Sequence, residues 1–379
     1  MSQTSTAMPV RTQHLPAIQW LRAFAAISVA IGHILHEATK IRDASPLIER
    51  IGSGLPFQIG VDIFFVISGF IMVYVTWGKL DRPGAHWHFL RARLIRIVPL
   101  YWFYTLLLAA VALTVPSVLD TAVFSVKQLL SSLLFIPGLF GADARPLLKL
   151  GWTLNYEMFF YAAFFLGILF GGHRTPWVVF IGLLSVIFAR QLGWLSTLPW
   201  QVWADPIVLE FCFGMGIGVL YHRGVRLRPL AAACLVAFAV VMLTLTLPNL
   251  AWATRYWVLG VPSALLVFAF ACLQRSPDTQ IGAFGRFCAR VGDASYTLYL
   301  MHPFVISAIF IIWRTLDFNG WSYVGVTLAV IVGGALLAYH LIEIPLTAAG
   351  RRLAGFVTRQ GAVTSGISKS PSKGEAPFQ

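Results

Sequence analysis

The chain has 379 residues, 58% of them hydrophobic and 11% charged, with a mean hydropathy of +0.76. Soluble domains carry about 25% charged residues, so the composition excludes a soluble enzyme and indicates an all-α polytopic membrane protein. The net charge of +13 fits basic cytoplasmic loops better than a nucleic-acid footprint, and Cys212, Cys234, Cys272 and Cys288 lack CxxC or Cys/His spacing, which gives no disulfide framework and no metal site.

Residues 1–16 read as a polar cytoplasmic segment without a cleavage signature, so the first apolar run is expected to be retained. A span needs about 20 apolar residues. About ten candidate transmembrane helices follow, at 17–36, 57–77, 97–116, 151–170, 176–192, 205–221, 229–247, 253–273, 294–313 and 321–342. The run 125–141 is shorter and reads as re-entrant or interfacial. With the N-terminus inside, Lys and Arg fall on the cytoplasmic side in a roughly two-to-one excess, which predicts an N-in/C-in topology. Residues 17–346 form one transmembrane domain on this reading. Residues 347–379 form a basic cytoplasmic tail, disordered over the polar "QGAVTSGISKSPSKGEAPFQ".

Ionisable side chains inside the apolar runs carry the functional signal, because a charge at mid-span costs about 2.5–3.5 kcal/mol on insertion scales. In "RAFAAISVAIGHILHE" the spacing of Arg22 and His33 is about three helical turns, so they share a face roughly 16 Å apart. Both are expected to face the bundle interior, Arg22 in the inner leaflet and His33 in the outer. "GVDIFFVISGF" puts Asp62 about 8 Å below the outer end of its span. "GWTLNYEMFFYA" puts Glu157 at a similar depth, flanked by Tyr156 and Tyr161. Counted from their own helix ends, His33 and the two carboxylates share an outer layer. There a carboxylate can fix the tautomer of the histidine, or each carboxylate can be a separate structural hydrogen bonder.

On the inner side, "HWHFLRARLIRIVPLYW" carries Arg91, Arg93 and Arg96 ahead of Pro99. The cluster is either a topology signal or a phosphate-binding site, and no P-loop sequence accompanies it. "GMGIG" at 214–218 reads as close helix packing rather than a phosphate loop. In "DASYTLYLMHPFVI", Pro303 removes the hydrogen bond to the Tyr299 carbonyl and places His302 beside a kink of the kind that lines cavities. "YHLIEIPL" puts Glu343 at the inner boundary, within reach of an arginine of the 91–96 cluster.

Taken together, Arg22-x10-His33, "GVDIFFVISGF", Arg93-x-x-Arg96, "WTLNYEMFFY", "SYTLYLMHP" and Glu343-x-Pro345 resemble the acyltransferase 3 family of membrane-bound O-acyltransferases. The opening "IQWLRAFAAISVAIGHI" is similar to its exopolysaccharide-production acetyltransferases. The resemblance implies a ten-helix enzyme of the bacterial inner membrane that takes an acyl group, typically acetyl, from cytosolic acyl-CoA, with no tightly bound cofactor. The implied acceptor is a sugar hydroxyl of an exopolysaccharide, lipopolysaccharide or lipid-linked glycan precursor, and glycan-assembly machinery is an implied partner. The family's motif residues fall on Arg22, His33, Arg93, Arg96, Glu157 and His302.

The expected chemistry follows. Arg93 and Arg96, with Arg91, hold the coenzyme A phosphates, and Arg22 lies along the donor's route. His33 acts as general base on the acceptor or carries the acyl group, with Glu157 or Asp62 orienting it. His302, Arg22 and Tyr299 are candidate donors to the oxyanion. The alternative is a secondary transporter or flippase for an amphiphile, which would also use intramembrane charges and broken helices.

Overall fold

The computed structural model describes residues 15–41, 45–114, 125–141, 143–274, 281–316 and 319–364. Its helices in chain order are α1 (Pro16–Ala38), α2 (Pro46–Gly54), α3 (Ile59–Thr76), α4 (Ala85–Thr114), α5 (Val126–Leu133), α6 (Trp152–Gly171), α7 (Thr175–Gln191), α8 (Leu198–Trp203), α9 (Leu209–His222), α10 (Pro229–Thr246), α11 (Arg255–Val258), α12 (Gly260–Ala271), α13 (Ala283–Asp293), α14 (Ser295–Trp313), α15 (Gly320–Ala338) and α16 (Ile344–Thr364). Hydrocarbon offers no partner to a free N–H or C=O, and helices satisfy these groups internally. Among the described residues eight stretches are long and apolar enough to cross a membrane. One of them, 149–191, holds both α6 and α7, and the apolar helix 206–222 is shorter. Each of the ten expected runs has a helical counterpart.

The helix ends follow local chemistry. Pro16 and Pro229 open α1 and α10, where a missing N–H costs nothing. Asn319 caps α15 by accepting from the Ser322 N–H at 2.8 Å. Between α6 and α7, Gly172 takes a left-handed φ of 50° that a side chain would resist, and the chain reverses there.

Three expectations change. The basic stretch before Pro99 belongs to α4, which starts at Ala85, so Arg91, Arg93 and Arg96 project from a helix instead of a loop. No residue between 85 and 98 breaks a helix, and Pro99 is accommodated inside it. The expected span 253–273 is divided at Leu259 into α11 and α12. The tail expected from 347, with disorder over 360–379, begins instead within α16, which runs to Thr364 and is built from good helix formers such as Ala, Arg and Leu, with Gly350 packed toward Ile95 of α4. Residues 1–14 and 365–379 lie outside the described residues.

Helix α3 is the hub. Most of its residues are buried, and it packs on α1, α9 and α12. Its contact with α9 is backbone to backbone. A Cβ on Gly69 would overlap the Phe211 carbonyl, and one on Gly214 would overlap the Val66 carbonyl. Gly218 meets Val73, while Gly216 faces open space, so the small residues of "GMGIG" serve close helix approach. Replacing Gly214 with Val is therefore expected to destabilise the protein by at least about 1–3 kcal/mol, and Gly216→Ala to be neutral. Thermal denaturation of the two variants in detergent, read by loss of the monodisperse peak, checks the contrast.

Candidate active site

Two cavities lie on either side of one thin wall. The inner cavity, about 380 Å³, is lined by Arg22 of α1, Ser68 of α3, Arg93 and Arg96 of α4, Glu157 and Tyr161 of α6, and Tyr296 and Tyr299 of α14. Glu157 Oε1 accepts from Ser68 Oγ at 2.9 Å and from the Tyr161 hydroxyl. Arg22 donates to Gln19 Oε1 at 3.2 Å, and the buried Nε of Arg93 has no hydrogen bond among the described residues. Three guanidinium groups against one carboxylate leave the chamber formally cationic. Tyr296 ties α14 to α4 by donating to the Ile97 carbonyl at 2.9 Å.

The outer cavity, about 350 Å³, is lined by His33, His36, Gln58, Trp152, Arg255 and Tyr299 among others. Val61 and Tyr299 line both chambers. The Tyr299 hydroxyl lies 3.0 Å from Thr153 Oγ1 and donates toward the Leu150 carbonyl at 3.3 Å, which pins the ring between them. Behind His33 lies His302, fully buried, with ring centroids 5.2 Å apart. His302 Nδ1 is 3.2 Å from the Leu298 carbonyl. A carbonyl only accepts, so Nδ1 carries the proton and Nε2 keeps its lone pair, which has no partner among the described residues.

With this geometry in place the comparisons become informative. Residues 15–341 match the acyltransferase 3 family, described as an acyltransferase domain. The chain belongs to the acyltransferase 3 family. It is similar to the exopolysaccharide production protein ExoZ of Rhizobium meliloti (strain 1021), with 32% identity over 303 residues, 77% of this chain and 90% of that protein. It is similar to the acyltransferase MdmB of Streptomyces mycarofaciens, with 28% identity over 334 residues, 79% of this chain and 81% of that protein. It is also similar to the putative membrane-bound transacylase BcsY of Komagataeibacter xylinus, with 28% identity over 315 residues, 75% of each. No solved structure gives a significant match.

The family motifs sort between the two chambers. Arg22 and His33 both line cavities, as their shared face requires, but different ones. Arg93, Arg96, Tyr161 and Tyr299 line the inner chamber. Glu157 does so too, and so does not orient His33. Depth counted from helix ends does not place it, because α6 starts from a segment in which Leu148, Leu150 and Gly151 are themselves buried.

Asp62 does not face His33 either. Both its oxygens are taken by Arg255, Oδ1 from Nε at 3.0 Å and Oδ2 from Nη2 at 2.7 Å. Arg91 is exposed, donates to the Ala354 carbonyl at 3.4 Å and lines neither cavity. Glu343 sits in a π turn, Tyr339–Glu343, that joins α15 to α16. It accepts from Thr297 Oγ1 at 2.5 Å, and the arginines Arg22 and Arg96 act on it only at longer range. Tyr156 packs its ring against Phe65 and Trp152. Pro303 lies within α14 without ending it.

Sequence reasoning missed Arg255 and Glu210. Glu210 is fully buried on α9 beside Asp62 and in the field of Arg255. A lone acid in "IVLEFCFGMGIG" is the same signal that singled out Arg22, and an acid as deep as Asp62 calls for a cation such as Arg255. Removing one partner of a buried pair strands the other charge at about 3–5 kcal/mol. Asp62→Ala is thus expected to lose that much stability, and the neutral pair Asp62→Asn/Arg255→Gln to regain most of it. A double-mutant cycle by thermal unfolding measures the coupling.

Proposed function

We propose that this protein is a membrane O-acyltransferase of the bacterial inner membrane that moves an acetyl group from cytosolic acetyl-CoA to a sugar hydroxyl of an exopolysaccharide or its lipid-linked precursor. The observation that carries the reading is the pair of chambers: a cationic one built by the family's arginines, and a second one holding His33, with Tyr299 between. The name of the exopolysaccharide production relative supports the acceptor class, and the transacylase and acyltransferase names of the others support the chemistry. Work alongside glycan-assembly machinery follows from that acceptor.

Arg22, Arg93 and Arg96 hold the phosphates of the donor, since planar guanidinium groups bind phosphate oxygens bidentately. The thin pantetheine arm then points its thioester at the Tyr299 wall. His33 takes the proton of the acceptor hydroxyl as the new C–O bond forms at the acyl carbon. The C–S bond breaks, and the thiolate of coenzyme A receives a proton in turn. His302 packs behind His33, with ring centroids 5.2 Å apart, and helps hold the base in place. Tyr299, whose side chain lines both chambers, serves as a donor to the oxyanion.

General base catalysis is typically worth 10²- to 10⁴-fold. A His33→Ala protein that elutes and melts like the wild type is expected to lose transfer from radiolabelled acetyl-CoA by that factor. Full activity would remove His33 from the mechanism. Arg93→Gln and Arg96→Gln are expected to raise the KM for acetyl-CoA about tenfold or more each, as loss of a charge-assisted bond does. An unchanged donor KM in both would detach the inner chamber from coenzyme A.

A further inference from the structure

We infer that Arg255 is an acceptor-binding residue of the outer cavity, locked by Asp62 and offering its Nη1 edge to an oxygen of a neutral sugar that lies against Trp152. The inference rests on the acyltransferase reading and names the chemistry of its acceptor side.

The donor count of Arg255 leads to it. Nε bonds Asp62 Oδ1, and Nη2 bonds Asp62 Oδ2 and the Gln58 carbonyl, at 3.0, 2.7 and 3.3 Å. The two N–H groups of Nη1 have no bond among the described residues, and Arg255 lines the cavity that holds His33. The guanidinium carbon lies 5.7 Å from the ring centroids of both Trp152 and Trp252. Trp252 is itself held by its Nε1 donating to Asp205 Oδ2 at 2.8 Å, and its ring meets Trp152 edge-on with centroids 5.6 Å apart. The guanidinium is thus fixed on one side by a carboxylate fork and on another by two indoles.

These surroundings define the ligand. The Asp62 carboxylate already balances the guanidinium charge, so Nη1 acts as a directional donor and not as an anion trap. Trp152 presents an aromatic surface of the kind that covers the apolar face of a sugar ring. Among the described residues no carboxylate lines the cavity, and at about 350 Å³ it sits at the small end of the range for small-molecule sites, which suits one sugar unit. Arg255 and His33 line the same chamber, so a sugar held by the first brings a hydroxyl toward the second. Asp62 touches no substrate. It is a positioning residue that keeps the fork turned inward.

The test uses full-length protein in nanodiscs with radiolabelled acetyl-CoA as donor and two soluble acceptors, p-nitrophenyl β-glucoside and p-nitrophenyl β-glucuronide. Arg255→Lys keeps the charge and loses the fork. It is expected to raise the KM for the glucoside about tenfold or more while the KM for acetyl-CoA stays as in the wild type. Asp62→Asn is expected to shift the same acceptor KM in the same direction with no change in the donor KM. The neutral pair Asp62→Asn/Arg255→Gln carries the test should either single variant melt early. An acceptor KM unchanged in variants that melt like the wild type makes Arg255 a structural residue only and overturns the assignment. Preference for the glucuronide, or turnover of neither glycoside, overturns the neutral-sugar class. Calorimetric binding of acetyl-CoA to the wild type separates the two levels: its absence overturns the acyltransferase reading itself, and its presence beside an unchanged acceptor KM overturns only the role of Arg255.

Discussion

Hydrocarbon cannot solvate a charge, and this constraint arranges the interior of the protein. Most of the ionisable side chains discussed above are answered in one of two ways. Asp62 has Arg255, Glu157 has Ser68 and Tyr161, Glu343 has Thr297, and His302 has the Leu298 carbonyl. Arg22, Arg93, Arg96 and His33 open instead onto cavities. The division is informative. A bond between partners holds helices in register, whereas donors turned to a cavity, the Nη1 edge of paired Arg255 among them, keep their bonding capacity for something that enters.

Helix α3 makes the division possible. Its glycine contact with α9 brings the two backbones together without side chains between them, so the opposite faces of α3 are free to build walls. Asp62 near its start fastens Arg255 at the outer cavity, and Ser68 further along holds Glu157 in the inner one. Val61, next to Asp62, is part of the wall the two cavities share. One helix therefore sets the positions of a carboxylate in the inner chamber, a guanidinium in the outer one and the partition between them. A residue that moved α3 would disturb all three together, even from a position remote from both chambers.

Much of this was legible in the sequence, and the part that was not has a physical cause. Arg22 and His33 were readable because helix periodicity alone fixes which face they share. The packing role of "GMGIG" was readable because bare glycines spaced along an apolar helix have little other use. Periodicity fixes direction around an axis but not the height of one helix against another, and that is why Glu157 was assigned to the layer of His33. Its helix begins on buried residues that hydropathy cannot place along the membrane normal. The Asp62–Arg255 bond links positions 193 residues apart, so nothing local to either residue announces it. Arg255 lies at the start of the expected span 253–273, where an arginine reads as an ordinary helix-end charge, yet the fold draws it inward until it is 8% exposed.

The two-chamber arrangement also bears on how an acyl group would pass. Arg22 and His33 lie about 16 Å apart along α1, and under the proposed function the long arm of an acyl-CoA bound by its phosphates would bridge that distance. Its thioester would then meet the wall that Val61 and Tyr299 share between the chambers. That ring is held by two bonds, one to a threonine hydroxyl and one longer one to a carbonyl. Each is of the strength that a competing oxygen can replace, since a neutral hydrogen bond is worth only about 0.5–1.5 kcal/mol net. The carbonyl of an arriving thioester is such an oxygen. Donor binding would then free the tyrosine from Thr153, merge the chambers and supply an oxyanion donor in one motion, and a direct attack by the acceptor hydroxyl would need no acyl-enzyme.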